Sequence, residues 1–396
     1  MIVKKMQALG EKRSVIREIF EYGKIRKAAI GAENVFDFSL GNPSVPAPDA
    51  VTDALKALLS DRDAVSLHGY TSAQGDADTR AAIASYLNEN YNVGAKATDL
   101  YMTVGAAASL SACLSAVAGE GEEVVAFAPF FPEYRVFAEQ TGASLAVVPC
   151  DEESFQISFD AFLKVLNPKT AAVIINSPNN PSGAVLSAAT LTRLGEILTQ
   201  KSKEYGHTIY LIADEPYREL AYDGVEVPYP TKFYPDTLVC YSFSKSLSLP
   251  GERIGYILVS PEAHEHDALY AAICGAGRSL GYVCAPSLFQ HLIPHVLGKT
   301  ADIATYKENR DLLYGGLTSY GFRAVKPDGA FYLFLKSPEA DAGAFCEKAK
   351  KYELLLVPGD DFAAPGYVRI SYCVTTEQIR RALPAFRKLA EEYGLI

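Results

Sequence analysis

The stretch Ser242-Phe243-Ser244-Lys245-Ser246-Leu247-Ser248-Leu249-Pro250-Gly251-Glu252-Arg253-Ile254-Gly255-Tyr256 decides the reading of this chain. It sets one lysine among small hydroxyl residues, just after an apolar run, with an arginine eight residues later. Burial strips an ammonium of its hydration and lowers its pKa, so a lysine placed there can act as an amine nucleophile. The serines and Arg253 have the chemistry to hold a phosphate, the arginine through paired N–H donors. A surface lysine beside a serine-rich turn would show the same letters. The rest of the chain has to choose between the two.

Outward from the lysine, apolar runs of strand length alternate with helical patterns. The spacing predicts strands at 100–104, 123–128, 144–148, 170–176, 208–214, 237–242 and 254–260. Helices are expected from Gly105 and at 132–141, 158–166, 187–205 and 261–274. The run 170–176 is continuously apolar, as in a strand covered on both faces. This alternation predicts an α/β fold: a mainly parallel sheet of seven-stranded type between helices, with its ligand site at the carboxyl ends of the strands. Nearer the N-terminus, helices are expected at 14–30, 49–60 and 76–89, with a short strand at 36–40 before the loop Gly41-Asn42-Pro43 and a loop at 68–75. After about residue 290 the texture changes. Helices at 301–320, 341–351 and 376–393 mix with short strands near 322–326, 331–335, 354–357 and 367–372. This reads as a large domain at 45–288 and a smaller α+β domain built from 1–44 and 289–396.

The 396 residues carry a formal net charge of -10, which argues against nucleic acid or an anionic membrane surface as a general partner. The uncharged run Tyr101 to Gly119 is long enough to span a bilayer, but it is rich in Gly, Ser and Ala and reads as a helix packed closely on a sheet. Seven scattered cysteines without metal-ligand spacing fit a reduced, cytoplasmic protein, and the charged first residues show no signal-peptide core. No metal site is expected at His264-Glu265-His266-Asp267, or at His291 and His295, which flank Pro294.

Four polar signals fall just past expected strand ends. They are Ser177-Pro178-Asn179-Asn180-Pro181-Ser182-Gly183, Asp214-Glu215-Pro216-Tyr217, the lysine segment itself, and Gly105-Ala106-Ala107. The last lies at a helix N-terminus, where free backbone N–H groups and the helix dipole favour an anion. Taken singly, each has a plain reading as turn, cap or packing residue. On this topology they converge on one edge of one sheet. A reactive amine joined to a phosphate grip suggests pyridoxal 5'-phosphate, which is held through a lysine Schiff base.

In this order the motifs resemble the pyridoxal-phosphate-dependent aminotransferases of fold type I, class I/II, the group with the aspartate and aromatic aminotransferases. The lysine segment is the most specific part of the resemblance, which runs from about Ser14 to the C-terminal helix. Asn-Pro-x-Gly, Asp-x-x-Tyr and the late arginine of Val368-Arg369-Ile370-Ser371 follow in the family's order. The resemblance implies that Lys245 anchors the cofactor and carries the substrate Cα proton. It implies that Asp214 pairs with the pyridinium nitrogen, and that Asn180 and Tyr217 bond the phenolic oxygen. Phe131 would stack on the ring. Backbone at Ala106 and Ala107, with Ser242, Ser244 and Arg253, would hold the phosphate. Tyr70 would reach that phosphate from the partner subunit, which implies a homodimer with shared sites. Arg369 and Gly41 would take the substrate α-carboxylate.

The chain departs from the family pattern at Gly41-Asn42-Pro43-Ser44, where Gly-Glu-Pro-Asp is common. Arg278, near the place of the arginine that reads a distal carboxylate in aspartate-specific members, aligns only across a gap. The implied activity is transfer of an amino group between an L-amino acid and a 2-oxo acid by a ping-pong route, with aspartate and 2-oxoglutarate as one candidate pair. The same residues also suit a carbon–sulfur β-lyase. A non-catalytic effector-binding regulator domain is the reading from another class, disfavoured by the acidic balance and the full catalytic set.

Overall fold

Thr170–Asn176, buried at all seven positions, lies inside a seven-stranded sheet. The structure, a computed structural model, describes residues 2–11 and 14–396. Across the sheet the strands run Leu100–Thr103, Gly255–Val259, Thr237–Ser242, Tyr210–Asp214, Thr170–Asn176, Glu123–Phe127 and Ser144–Val148. Gly255–Val259 pairs antiparallel with both its neighbours, and the other pairings are parallel. Helices cover both faces, so the strands are apolar on both sides. Ala106–Val117, Glu133–Gln140 and His266–Ser279 bury one face, around Leu114, Ile174 and Ile257. Phe159–Val165 and Ala188–Tyr205 bury the other, around Val173, Leu194 and Leu211.

The run Tyr101 to Gly119 is divided between a strand and the helix Ala106–Val117, and no helix among the described residues is long and apolar enough to cross a membrane. A second body holds the four-stranded antiparallel sheet Val357–Pro358, Tyr367–Ser371, Tyr332–Lys336 and Arg323–Ala324. Ile303–Ser319, Ala342–Ala349 and Thr376–Glu392 pack on it through Leu313, Phe345 and Phe386.

Three sequence expectations move. The strand expected at 36–40 pairs only at Phe36–Asp37, because the Asp37 carboxylate then turns the chain by accepting from the Ser39 N–H and hydroxyl at 3.1 and 2.6 Å. The helix expected at 261–274 runs instead from His266 to Ser279, since Glu265 adopts φ 51°, which no helix passes through. Ser287–Val296 is helical although it contains Pro294. The carbonyl that Pro294 cannot bond, Gln290 O, accepts from the Thr79 hydroxyl at 2.9 Å. That helix buries Leu292, Ile293 and Val296 against Val51, Leu58 and Ile83 of the large body. We therefore propose that the domain division expected at 288 falls after Ala301, before Ile303–Ser319.

Gly255 sits where the antiparallel strand meets the Gly105 loop. A methyl group there would run into the Tyr241 carbonyl and lie 3.1 Å from Gly105 Cα. Gly255→Ala should cost about 1–3 kcal/mol of stability. The urea midpoint of the variant checks this; a midpoint equal to that of the parent would show that the packing gives way freely.

Candidate active site

Asp214 is the last residue of a central strand, in register with Asn176 on one side and Cys240 on the other. Asn176 ties this strand end to the next loop. Its Nδ2 donates to the Asp214 carbonyl at 2.8 Å, and its Oδ1 accepts the Asn180 N–H at 2.7 Å. The Asp214 carboxylate is out of water. Oδ2 accepts from the Tyr134 hydroxyl at 2.5 Å, while Oδ1 is buried with no partner. Burial pushes the carboxyl up to about 7, opposed by the Tyr134 hydrogen bond and reinforced by nearby Glu215. Glu215 in turn pairs with Arg218, whose guanidinium lies 5.2 and 4.6 Å from the rings of Tyr91 and Tyr229. Tyr134 and Asn176 escaped the sequence reading. Tyr134 reads in the sequence as a packing residue of the helix Glu133–Gln140, and Asn176 only as the end of an apolar run.

Lys245 lies in the single helical turn Phe243–Ser246, directly after the strand Thr237–Ser242. Its Nζ donates to the Gly41 carbonyl at 2.7 Å. Burial pulls its pKa down to about 8; the neighbouring Cys373 thiol opposes this, and the charges of Arg253 and Arg369 add to it. Behind it, the Ser242 and Ser244 hydroxyls are 2.7 Å apart, and Arg253 Nη1 reaches Ser244 Oγ at 3.5 Å. The Arg253 backbone is held at φ 53°. Its Nη2 would be 2.6 Å from any Cβ on Gly105, which caps the helix Ala106–Val117 at φ 93°. Only a glycine lets this guanidinium close on a helix N-terminus.

Arg369 comes from the second body, in register with Phe334 and Val357. It is 2% exposed and stacked between Tyr332 and Phe362, with its guanidinium 4.9 and 5.0 Å from their ring centroids. Its partners are neutral: Asn180 Oδ1 at 3.3 Å and the Ser39 carbonyl, with Nε unpartnered. Burial lowers its pKa. The Tyr217 hydroxyl meets that of Tyr332 at 3.0 Å.

Gly41, Ala106, Ala107, Phe131, Asn180, Asp214, Tyr217, Ser242, Ser244, Lys245, Arg253 and Arg369 all line one cleft of about 280 Å³, with Ile16, Leu110, Pro216, Pro250 and Tyr332. Two expected site residues are not in it. Tyr70 is 90% exposed, and Arg278 is exposed in the last turn of His266–Ser279.

Residues 33–386 match the family described as aminotransferase class I and II. The chain belongs to that family. An aromatic-amino-acid aminotransferase 2 of Thermococcus litoralis is 28% identical over 97% of both chains. An aspartate/prephenate aminotransferase of Thermus thermophilus is 29% identical over 88% of this chain and 89% of its own. Among solved structures, an amino transferase of Eubacterium rectale is 58% identical over 99% of both chains, with a TM-score of 0.98. The aspartate aminotransferase of Thermus thermophilus with maleate superposes at 0.86, with 26% identity over 98% of this chain and 99% of that one. This aminotransferase is a pyridoxal-phosphate-dependent enzyme, and the cleft fits that group. The orphaned Asp214 Oδ1 suits a protonated ring nitrogen, and the part of the cleft lined by Ala106, Ala107, Ser242, Ser244 and Arg253 suits a phosphate.

The raised carboxyl of Asp214 has a consequence for the cofactor-free protein. Folding lifts its pKa from 3.8 to about 7, so protonated Asp214 costs nothing below the unfolded value, and ionising it removes stability as pH rises towards the folded value. Cofactor-free Asp214→Asn should therefore match the parent near pH 4 and exceed it by a few kcal/mol, on the order of 2–4, at pH 8. Urea titrations across that range check it; a pH-independent difference would contradict the burial.

Proposed function

We propose that the aminotransferase reaction is carried by the cleft residues in the following roles. Lys245 anchors the cofactor and, as a neutral amine, takes and returns the proton at the substrate Cα. Asp214 keeps the cofactor ring nitrogen protonated. Bound pyridoxal phosphate supplies the electron sink for the carbanion. Asn180 has its Oδ1 turned to Arg369, which leaves its NH₂ group to donate to the cofactor's phenolic oxygen beside the Tyr217 hydroxyl. Phe131 covers the ring face. Ala106, Ala107, Ser242, Ser244 and Arg253 hold the phosphate. Arg369 and Gly41 fix the amino-acid carboxylate; a planar two-point contact sets the direction of the Cα–H bond. The observation that carries this reading is the pair of unmet demands lining one cleft, a buried acid at Asp214 and a buried cation at Arg369.

The working unit we propose is a cytoplasmic homodimer. The exposure of Tyr70 and Arg278 supports shared sites, since each is free to enter a neighbour's cleft. All seven cysteines are free, including Cys113 and Cys240, whose sulfurs lie 3.6 Å apart, in keeping with a reducing compartment. Aspartate with 2-oxoglutarate is the first substrate pair to test, in line with the relatives named as aspartate aminotransferases. A second reading, an apolar or aromatic amino acid, is favoured by Ile16 and Leu110, which line the cleft of the single protomer.

Double-reciprocal plots for amino donor against 2-oxo acid should be parallel, with the donor found by loss of the cofactor's visible absorbance. Intersecting lines, or pyruvate release from cystathionine without an added oxo acid, would favour another reaction. Arg369→Ala should lower kcat/KM for amino acids by about 100-fold or more while leaving cofactor absorbance in place. Unchanged kcat/KM would remove Arg369 from the carboxylate site.

A further inference from the structure

Tyr332 belongs to none of the roles above, yet it touches three of them. Its hydroxyl lies 3.0 Å from that of Tyr217, with the two rings edge-on at 84°. The Arg369 guanidinium stacks on its ring at 4.9 Å. A side chain at position 41 would collide with its hydroxyl, so Gly41 is what leaves that hydroxyl room to reach Tyr217. Both phenols are buried, at 2% and 5% exposure.

Each phenol has one hydrogen to give. Were Tyr217 to donate to Tyr332, it would turn only lone pairs towards an electron-rich oxygen in the cleft. The positive charge of Arg369 over the Tyr332 ring polarises that hydroxyl and makes it the better donor of the two. We propose that Tyr332 is a positioning residue: it donates to Tyr217 and so commits the Tyr217 hydrogen to the cofactor's phenolic oxygen. This inference rests on the reading that Tyr217 reaches that oxygen. A chain of two such bonds is stronger than its parts, because each donor polarises the next.

A donor on the phenolic oxygen stabilises its negative charge and loosens its hold on the proton of the adjacent Lys245 nitrogen. Losing that donor raises the pH at which the Lys245–cofactor chromophore deprotonates. The test is a visible-absorbance pH titration of the holoenzyme, its Tyr332→Phe and Tyr217→Phe variants, with kcat and KM measured alongside. Tyr217→Phe should move the midpoint upward. Tyr332→Phe should move it the same way by less, about half a unit, or threefold in the protonation constant. Phenylalanine keeps the ring under Arg369, so KM for the amino donor should stay within about twofold. Gly41→Ala, which pushes the Tyr332 hydroxyl away, should shift the midpoint in the same direction. A midpoint that moves with Tyr217→Phe and stays at the parent value with Tyr332→Phe overturns the inference alone, whatever the melting temperature does. A midpoint unmoved by Tyr217→Phe overturns the underlying reading of Tyr217 and the inference with it.

Discussion

Asp214 is a carboxylate taken out of water at the end of a central strand, with one oxygen bonded to Tyr134 and the other left open. A buried acid without a counter-charge is costly, and burial pushes this carboxyl up to about 7. The surroundings hold it there. Asn176 fixes the strand end from the neighbouring strand, Tyr134 holds one oxygen, and the adjacent Glu215, itself paired with Arg218, adds its charge to the upward push on Asp214. The parallel sheet brings Asn180, Asp214 and Lys245 to one side because each follows the carboxyl end of its strand.

The second body supplies the opposite demand. Arg369 is buried among neutral groups, stacked between two aromatic rings, with a free Nε donor. The two bodies also meet through the loop at Ser39 to Gly41, which accepts from Arg369 at Ser39 and from Lys245 at Gly41. One loop therefore positions the Lys245 amine and the Arg369 guanidinium together. On the proposed roles, a cationic ring nitrogen and an amino-acid carboxylate brought into this one cleft would satisfy both orphans at once, where neither charge is paired by the protein itself.

Much of this was legible in the sequence, because strand-end chemistry leaves local marks. Lys245, Asp214 and Asn180 each follow an apolar run and stand beside Pro or Ser residues, so alternation and turn chemistry located them on the correct edge of the sheet. Tyr134, Asn176 and Tyr332 left no such mark. They lie inside regular elements, where a tyrosine or a terminal asparagine reads as packing, and their role follows only from partners 38 to 115 residues away. The helix Ser287–Val296 was missed for a related reason. Pro294 signals a break, and only Thr79, far back in the chain, supplies the donor that makes the helix tolerable. Tyr70 and Arg278 were readable as candidate site residues, but that both stand exposed outside the cleft is a property of the fold.

Borohydride reduction of the holoenzyme, followed by peptide mapping, identifies the lysine that anchors the cofactor. The pyridoxyl mass should appear on the peptide carrying Lys245, at close to one per chain, because this is the lysine that burial brings down to about 8 within the cleft. Label on any other lysine, or none after reduction of an absorbing holoenzyme, would contradict the assignment of Lys245 and the site built around it.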